Sequence, residues 1–570
     1  MKKIYFLIFL ASSLFCFAQV TPTVITSDLV ADLTGYTGAT EFPGQAEYFV
    51  YLSTDNTLDK PIFLIDGFDP GDTRNIDALY TSLDYTGNPN FTNLGDELRA
   101  EGFDIVVVNF PTYMNAGNTV DGGADFIERN ALTLVALIED INALKAMNSP
   151  EQNVIIGPSM GGLISRYALN YMENNMLDAD TRLWISLDSP HLGANVPIGL
   201  QHQFNYLAFN DLNPVADVQP LVNDVLNSPA ARQLLVDHFE SHLLIGSTVE
   251  FNPALTLPIP HPYRTQFEAN INSLDGNVTT VDFPQNVRKV SVVNGSGIGT
   301  PYHDKLGNDV ISGFEIVNTT IPVSVGFFTI DVDIVINMTP ASGTSQLVSE
   351  FNTTVPFVGN VNSVANSGTL NFDGVDASPG GLFDISGLSG ELPMDGLAAD
   401  FLDDLTIDKF SFIPTVSALA LEITDEGNGA DNINWFHDID LTESRATTNN
   451  TPFDNTFLPD DNEDHVEITS ANAAFVLSEI RQSTLGENDF DFNEIKLVKN
   501  PVSDILILQA NTNENATVQI IDYSGKLVFT ILADLNGITE IPINLNSGFY
   551  ILNVKGENGA RFTTKFIVNK

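Results

Sequence analysis

Cysteine is almost absent from this chain. Of 570 residues one is a cysteine, Cys16. It lies in an N-terminal stretch that reads as an export signal over residues 1–18: Lys2 and Lys3, an apolar run from Ile4 to Phe15, then small Ala18 before Gln19. Phe15 precedes Cys16 where a lipoprotein signal needs a small residue, so no lipid anchor is expected. Processing after residue 18 leaves no cysteine at all. That excludes disulfides, a thiol nucleophile and a thiolate metal site in the mature protein. Basic residues are also scarce: 24 Lys and Arg stand against 73 Asp and Glu, a formal charge of -49. Such a polyanion is repelled by nucleic acid and by anionic membrane surfaces, and neither is an expected partner. After the signal, no run is long and apolar enough to be an integral membrane segment. The chain is nonetheless 43% hydrophobic and only 17% charged, which is globular rather than disordered. Its length predicts two or more domains.

Five apolar, β-rich runs stand out in the first 300 residues: Pro61–Asp66, Phe103–Phe110, Asn153–Gly157, Leu183–Leu187 and Val290–Val293. Continuous apolar runs suit strands buried on both faces. With helical stretches between them, such as Gly123–Ala146, they predict an α/β fold with a mainly parallel sheet. The third run leads straight into Gly157-Pro158-Ser159-Met160-Gly161-Gly162. By chance a chain of this length shows a lone G-x-S-x-G roughly 0.2 times. Here a strand precedes it and a helical stretch, Leu163–Met172, follows. That is the setting of a nucleophile elbow, with Ser159 exposed at a helix N-terminus whose dipole favours a developing anion. The first run ends in Asp66-Gly67-Phe68-Asp69-Pro70. In such an elbow fold this loop and the residue after the nucleophile supply the oxyanion hole, so the expected donors are the backbone N–H groups of Phe68 and Met160.

The fourth run continues into Asp188-Ser189-Pro190-His191-Leu192-Gly193, which is similar to the T-P-H-x-G segment of bacterial lipases. With the elbow and the oxyanion loop, residues 60 to 300 resemble lipase-like α/β-hydrolases, and the likeness returns near 410 to 480. The altered feature is Asp66-Gly67, where many lipases carry His-Gly. The resemblance implies an esterase or lipase working through a Ser-His-Asp triad. It implies a structural or pocket-lining role for His191. In this fold the chain order is Ser, acid, His, the acid following the fifth strand. His465 lies on a polar loop just before an amphipathic helix and is the expected base, with His437 as the alternative. Phe410–Leu419 resembles the lipase segment D-G-x-V-P-x-x-S-A. Its Asp position holds Phe410, so Asp408, two residues away, is the expected acid. Asp304 and Asp454 remain alternatives.

From about Lys496 the texture changes to short alternating strands separated by Gly and Asn turns, the pattern of a small β-sandwich. The order Lys499-Asn500-Pro501-Val502, Asp522-Tyr523-Ser524-Gly525-Lys526, Asn546-Ser547-Gly548-Phe549-Tyr550 and Lys565–Lys570 resembles the C-terminal sorting domain of type IX secretion in Bacteroidota. The resemblance implies the type IX machinery as a partner and delivery outside the cell or to its surface.

The expected organisation is a signal over 1–18, an α/β-hydrolase domain over 19–490 and a sorting domain over 496–570. Within the hydrolase, 197–286 reads as a helical cap or lid and 310–395 as a β-rich insertion, a hairpin or small antiparallel sheet. The expected substrate is an ester or lipid. A peptidase or acyltransferase would use the same triad, and a surface adhesin on an inactive hydrolase is a non-enzymatic alternative. No cofactor is required by this chemistry. The acidic loop Asp425–Asn432 has the hard oxygen ligands that Ca2+ prefers.

Overall fold

The computed structural model describes residues 21–211, 213–274, 283–325, 328–385, 397–421, 433–437, 439, 451–481, 495–522, 526–556 and 561–570. The expected signal segment lies outside these residues. The chain divides into two compact units, Met1–Ile480 and Arg481–Lys570.

The strands of the first unit are β1 (Thr23–Thr26), β2 (Gln45–Tyr51), β3 (Pro61–Ile65), β4 (Asp104–Asn109), β5 (Thr112–Asn115), β6 (Asn118–Asp121), β7 (Asn153–Pro158), β8 (Thr181–Leu187), β9 (Arg288–Val292), β10 (Glu315–Val325), β11 (Phe328–Asn337), β12 (Ser345–Val355), β13 (Gly359–Gly368), β14 (Gly380–Asp384), β15 (Lys409–Pro414) and β16 (Asn455–Phe457). The main sheet runs β1-β2-β4-β3-β7-β8-β9-β16. From β4 to β16 all neighbours are parallel, and β2 is antiparallel to β1 and β4. This is the α/β-hydrolase fold.

The apolar runs are buried because both faces are covered. Phe63, Ile65, Val106, Val108 and Ile155 pack into one core. Their alternate neighbours Ile62, Leu64, Ile105, Val107 and Val154 pack into another. A strand's side chains alternate between faces, so a fully apolar run serves two cores at once. Each such side chain contributes about 1.5–3 kcal/mol when fully buried. The first face carries helices α3 (Ile127–Lys145) and α4 (Met160–Asn174), whose apolar residues belong to that core. The second carries α1 (Ile76–Thr81), α2 (Leu94–Ala100) and the later helix Ser470–Arg481.

Between β8 and β9 the chain inserts helix α5 (Ile198–Phe209) and several short helices. Within the expected helical cap, the stretch Val215–Phe239 is broken into a 3-10 turn at Ala216–Val218, a π turn at Leu221–Leu226 and a short α-helix at Pro229–Leu234. Pro220 and Pro229 explain the breaks, since neither has an N–H to continue a helix. The insertion is bolted to the core. Gln233 donates to Glu128 Oε2 at 2.7 Å and to Tyr36 Oη at 3.0 Å, and accepts from the Ile127 N–H at 2.9 Å. The second insertion is an antiparallel meander, β10-β11-β12-β13. Its alternation is real: Ile330, Val332, Ile334 and Ile336 are buried while their neighbours face outward. Helix α5 meets it through His202 Nδ1, 2.8 Å from Ser349 Oγ of β12.

The second unit consists of β17 (Ile495–Leu497), β18 (Ile505–Asp522), β19 (Leu527–Pro542), β20 (Gly548–Gly556) and β21 (Arg561–Val568). All pairings are antiparallel, with long β18 joined to β17, β19 and β20. Its core is its own, built on Leu506, Leu508, Val518, Ile520, Leu552 and Phe566. Among the described residues, no helix is long and apolar enough to cross a membrane.

Candidate active site

Ser159 sits between β7 and α4 with φ 52° and ψ -129°, a backbone conformation that costs a non-glycine residue about 1–3 kcal/mol. The turn is held from both sides. The Ser159 N–H donates to Leu187 O at 2.8 Å, and its carbonyl accepts from the Gly162 N–H at 3.0 Å. The flanking glycines are required by approach distance. A Cβ at Gly157 would stand 2.6 Å from Gly161 O, and one at Gly161 would stand 2.6 Å from Ile65 O. Strand and helix therefore meet only because these side chains are missing.

His465 reaches Ser159 from a loop ahead of the helix Ser470–Arg481. Its Nε2 is 2.8 Å from Ser159 Oγ. Its Nδ1 is 2.7 Å from Asp188 Oδ2. The neutral imidazole that fits both contacts donates Nδ1–H to Asp188 and accepts the Ser159 hydroxyl at Nε2. The loop is fixed by pairing rather than by packing alone. The His465 N–H donates to Leu382 O at 2.9 Å, and the Leu382 N–H donates to Glu463 O at 3.0 Å. The Phe412 ring stands edge-on to the imidazole at 5.1 Å.

Asp188 directly follows β8, with φ 46° and its side chain fully buried. Its second oxygen, Oδ1, accepts the Asn294 N–H at 3.1 Å. Asn294 also donates its side-chain amide to Glu463 Oε2 at 2.9 Å and Glu467 O at 3.0 Å. One residue after β9 thus holds both the carboxylate and the loop that carries the imidazole. Gly381 of β14 leaves room for the carboxylate: a Cβ there would stand 1.9 Å from Asp188 Oδ2.

The structure brings Ser159 and His465 together and corrects the expected acid. Asp408 does not reach His465. It is largely exposed and pairs with Lys305 at 3.4 Å. It precedes β15, whose Phe412, rather than an acid, meets the imidazole. Asp304 caps its own turn, accepting from the Leu306 and Asn308 N–H groups at 2.8 Å each. Asp454 braces the Lys289 N–H at 2.8 Å. The partner of His465 is Asp188, whose segment was noted for His191 and not for its carboxylate. His437 forms a local turn, its N–H donating to Asn434 O at 3.3 Å. His191 lies beneath the site, 2.8 Å from Ser186 Oγ and ringed by Trp184, Phe283 and Phe453. Burial, then the nearby Arg166 charge, pushes its imidazole well below the usual histidine range.

The loop after β3 lies against Ser159: a Cβ at Gly67 would stand 3.1 Å from Ser159 Cβ and 3.6 Å from Met160 N. Phe68 follows it, and Met160 opens α4, where the first N–H groups have no partner within the helix. Arg74 fastens the loop by donating to Phe68 O at 2.8 Å. A cavity of about 170 Å³ opens at this point, lined by Gly67, Phe68, Ser159 and His465 with an apolar wall that includes Leu79, Leu83 and Ile156. Asp66 lines it too. Burial pushes its carboxyl up to about 7 despite the Arg74 guanidinium 3.0 Å away. Among the described residues, no group of three or more His, Cys, Asp or Glu is arranged to hold a metal ion. The loop considered for Ca2+ lies outside the described residues.

Comparison with known proteins agrees with this division. Residues 499–569 match the model described as "Secretion system C-terminal sorting domain", and residues 95–208 match "Putative serine esterase (DUF676)". No curated protein matches the chain. Solved structures with some likeness include Est1E from Butyrivibrio proteoclasticus, 11% identical over 47% of this chain and 77% of that one, with a TM-score of 0.23. Lpx1, a peroxisomal α/β-hydrolase from Saccharomyces cerevisiae, is 14% identical over 48% and 73%, TM-score 0.24. XC6422 from Xanthomonas campestris, a serine hydrolase without a lid, is 15% identical over 30% and 62%, TM-score 0.20. The fold assignment rests on the sheet order and the elbow, not on these likenesses. The chain combines a serine-esterase-like α/β-hydrolase with a sorting domain for type IX export.

Proposed function

We propose that this exported hydrolase cleaves carboxylic esters with short acyl groups through an acyl-enzyme. The observation that carries the reading is the unbroken chain of contacts from Asp188 through His465 to Ser159, at 2.7 and 2.8 Å. Ser159 Oγ attacks the ester carbonyl while His465 Nε2 takes its proton. Asp188 keeps Nδ1 protonated and stabilises the imidazolium that forms. The Phe68 and Met160 N–H groups hold the oxyanion. The imidazolium then gives its proton to the leaving alcohol. A water then attacks the acyl carbonyl as His465 takes its proton, and collapse releases the acid by expelling Ser159 Oγ, which takes that proton back from the imidazolium.

A small cavity supports the short acyl group. At about 170 Å³ it is smaller than the roughly 300–1,000 Å³ of pockets for drug-sized ligands. Ahead of the hydrolase, residues 1–18 act as the export signal and are removed. The sorting domain then addresses the protein to the type IX machinery, and the hydrolase acts outside the cell or on its surface. A series of p-nitrophenyl esters from acetate to palmitate tests the reading. Acetate to butyrate should be hydrolysed fastest. An optimum at long chains would contradict the pocket assignment, and no hydrolysis at any length would contradict the esterase reading.

A further inference from the structure

A second opening lies beyond the loop after β3. Gly67 and Phe68 of that loop line the catalytic cavity, while Pro70, Gly71 and Thr73 line a cleft of about 950 Å³. Its other walls include the β5–β6 hairpin and the cap, which contributes Asn223 and Asp224. The hairpin turns at Ala116 and Gly117, with φ 49° and 89°, the pair of positive angles that a two-residue turn favours. That turn makes Asn115 and Asn118 direct cross-strand partners, so their side chains leave the same face with Cβ atoms about 5 Å apart. Both residues line the cleft, as Asn223 does. Asn118 and Asn223 are exposed and Asn115 is half-buried. None of the three carboxamides has a hydrogen-bond partner among the described residues.

Charge is mostly neutralised along the same lining. Arg129 pairs with Asp125, Arg232 donates from Nε and Nη2 to Glu240 at 2.7 and 2.8 Å, and Asp121 Oδ2 accepts the Gly71 N–H at 2.7 Å. Asp224 is left without a partner among the described residues. An anion therefore finds no free cation in the cleft. A neutral ligand finds carboxamides that both donate and accept, beside the partly buried rings of Phe42 and Tyr263.

We infer that this cleft binds a neutral carbohydrate chain. Each sugar hydroxyl donates and accepts as a carboxamide does, so Asn115, Asn118 and Asn223 suit several of them at once. The C–H face of a sugar ring suits the aromatic carbon of Phe42 or Tyr263. The volume lies at the upper end of the roughly 300–1,000 Å³ of ligand pockets, which favours several sugar units over one. An extended peptide would be held through its backbone at a strand edge, and the groups on offer here are side chains. This binding is separate from the ester cleavage proposed above and needs no turnover to be seen.

Affinity electrophoresis of the full chain in native gels tests the inference. Arabinoxylan, galactomannan and a mixed-linkage β-glucan serve as neutral probes, polygalacturonate as the anionic probe and gelatin as the polypeptide probe. At least one neutral polysaccharide should retard the chain. The double variant Asn115→Ala/Asn118→Ala should raise the apparent Kd for it about tenfold, and Asn223→Ala, on a different element, should raise it as well. Melting temperatures identify the folded variants, and a double variant that fails to fold leaves Asn223→Ala to decide. No retardation by any of the three neutral chains, retardation by polygalacturonate or gelatin alone, or retardation unchanged in the folded variants overturns the cleft as a carbohydrate site.

Discussion

Both oxygens of Asp188 are occupied, one by His465 and one by the Asn294 amide. That double engagement sets its prediction. Asp188→Asn replaces an acceptor by an amide that disfavours the working tautomer, and turnover should fall by about 10⁴-fold. Asp408→Ala, on an exposed residue whose carboxylate pairs with Lys305, should change kcat/KM by less than about twofold. Steady-state kinetics on folded variants decides between them. The contrast shows how the site was and was not legible. Ser159 carried its own local signature of strand, glycine and helix. His465 was reachable because a loop before a final helix is a local pattern. Asp188 had no such mark in a chain with 73 acidic residues. Only the convergence of Gly381 and Asn294 on the end of β8 singles it out, and both are distant in sequence. Its one available signal was its place at the end of the strand beside the nucleophile strand.

Asp66 gives a second test at this scale. Its carboxyl is raised by burial from 3.8 to about 7. Between those values the native state holds a proton that the unfolded chain has lost, so stability falls as pH rises through the window. Asp66→Asn cannot titrate. The stability of Asp66→Asn relative to the natural chain should therefore rise from about pH 4 to about 7, by at most ~1.4 kcal/mol per pH unit, and level off above. Denaturant melts across that range measure it. A flat difference would show that Asp66 does not change its proton on folding.

Among the elements, β14 and the loop after β9 do more for the site than their length suggests. Gly381→Ala places a methyl where Asp188 Oδ2 now lies, so the carboxylate must shift. We expect activity to fall at least tenfold, since a misplaced catalytic group of about 1 Å costs up to about 100-fold. A crystal structure of the variant should show the His465–Asp188 contact lengthened, and an unchanged contact with full activity would contradict the role given to β14. Sequence periodicity served the elements unevenly. The central strands were readable because two buried faces demand unbroken apolar runs. The expected helical cap is built of short helices, because the apolar spacing continues across Pro220 and Pro229, where the helical backbone cannot. β14 was not anticipated, having little more than Gly380-Gly381-Leu382-Phe383 to announce it.

For the whole molecule, the hydrolase and the sorting domain have separate apolar cores. Deleting residues 496–570 should therefore leave ester hydrolysis within about twofold while abolishing delivery outside the cell in the native host. Fractionation and assay of the truncated protein check both halves, and a folded but inactive truncation would show that the sorting domain contributes to the site. In the sequence, composition and strand rhythm change together near Lys496, and the second compact unit begins at Arg481. The proposed chemistry rests on one hydroxyl, that of Ser159, held in its strained turn 2.8 Å from His465 Nε2. The most direct measurement is labelling of the purified protein with a fluorophosphonate followed by peptide mass spectrometry. The account predicts one adduct, on Ser159, that is lost in Ser159→Ala and strongly slowed in His465→Ala. An adduct on another residue, or labelling that survives Ser159→Ala, would contradict it.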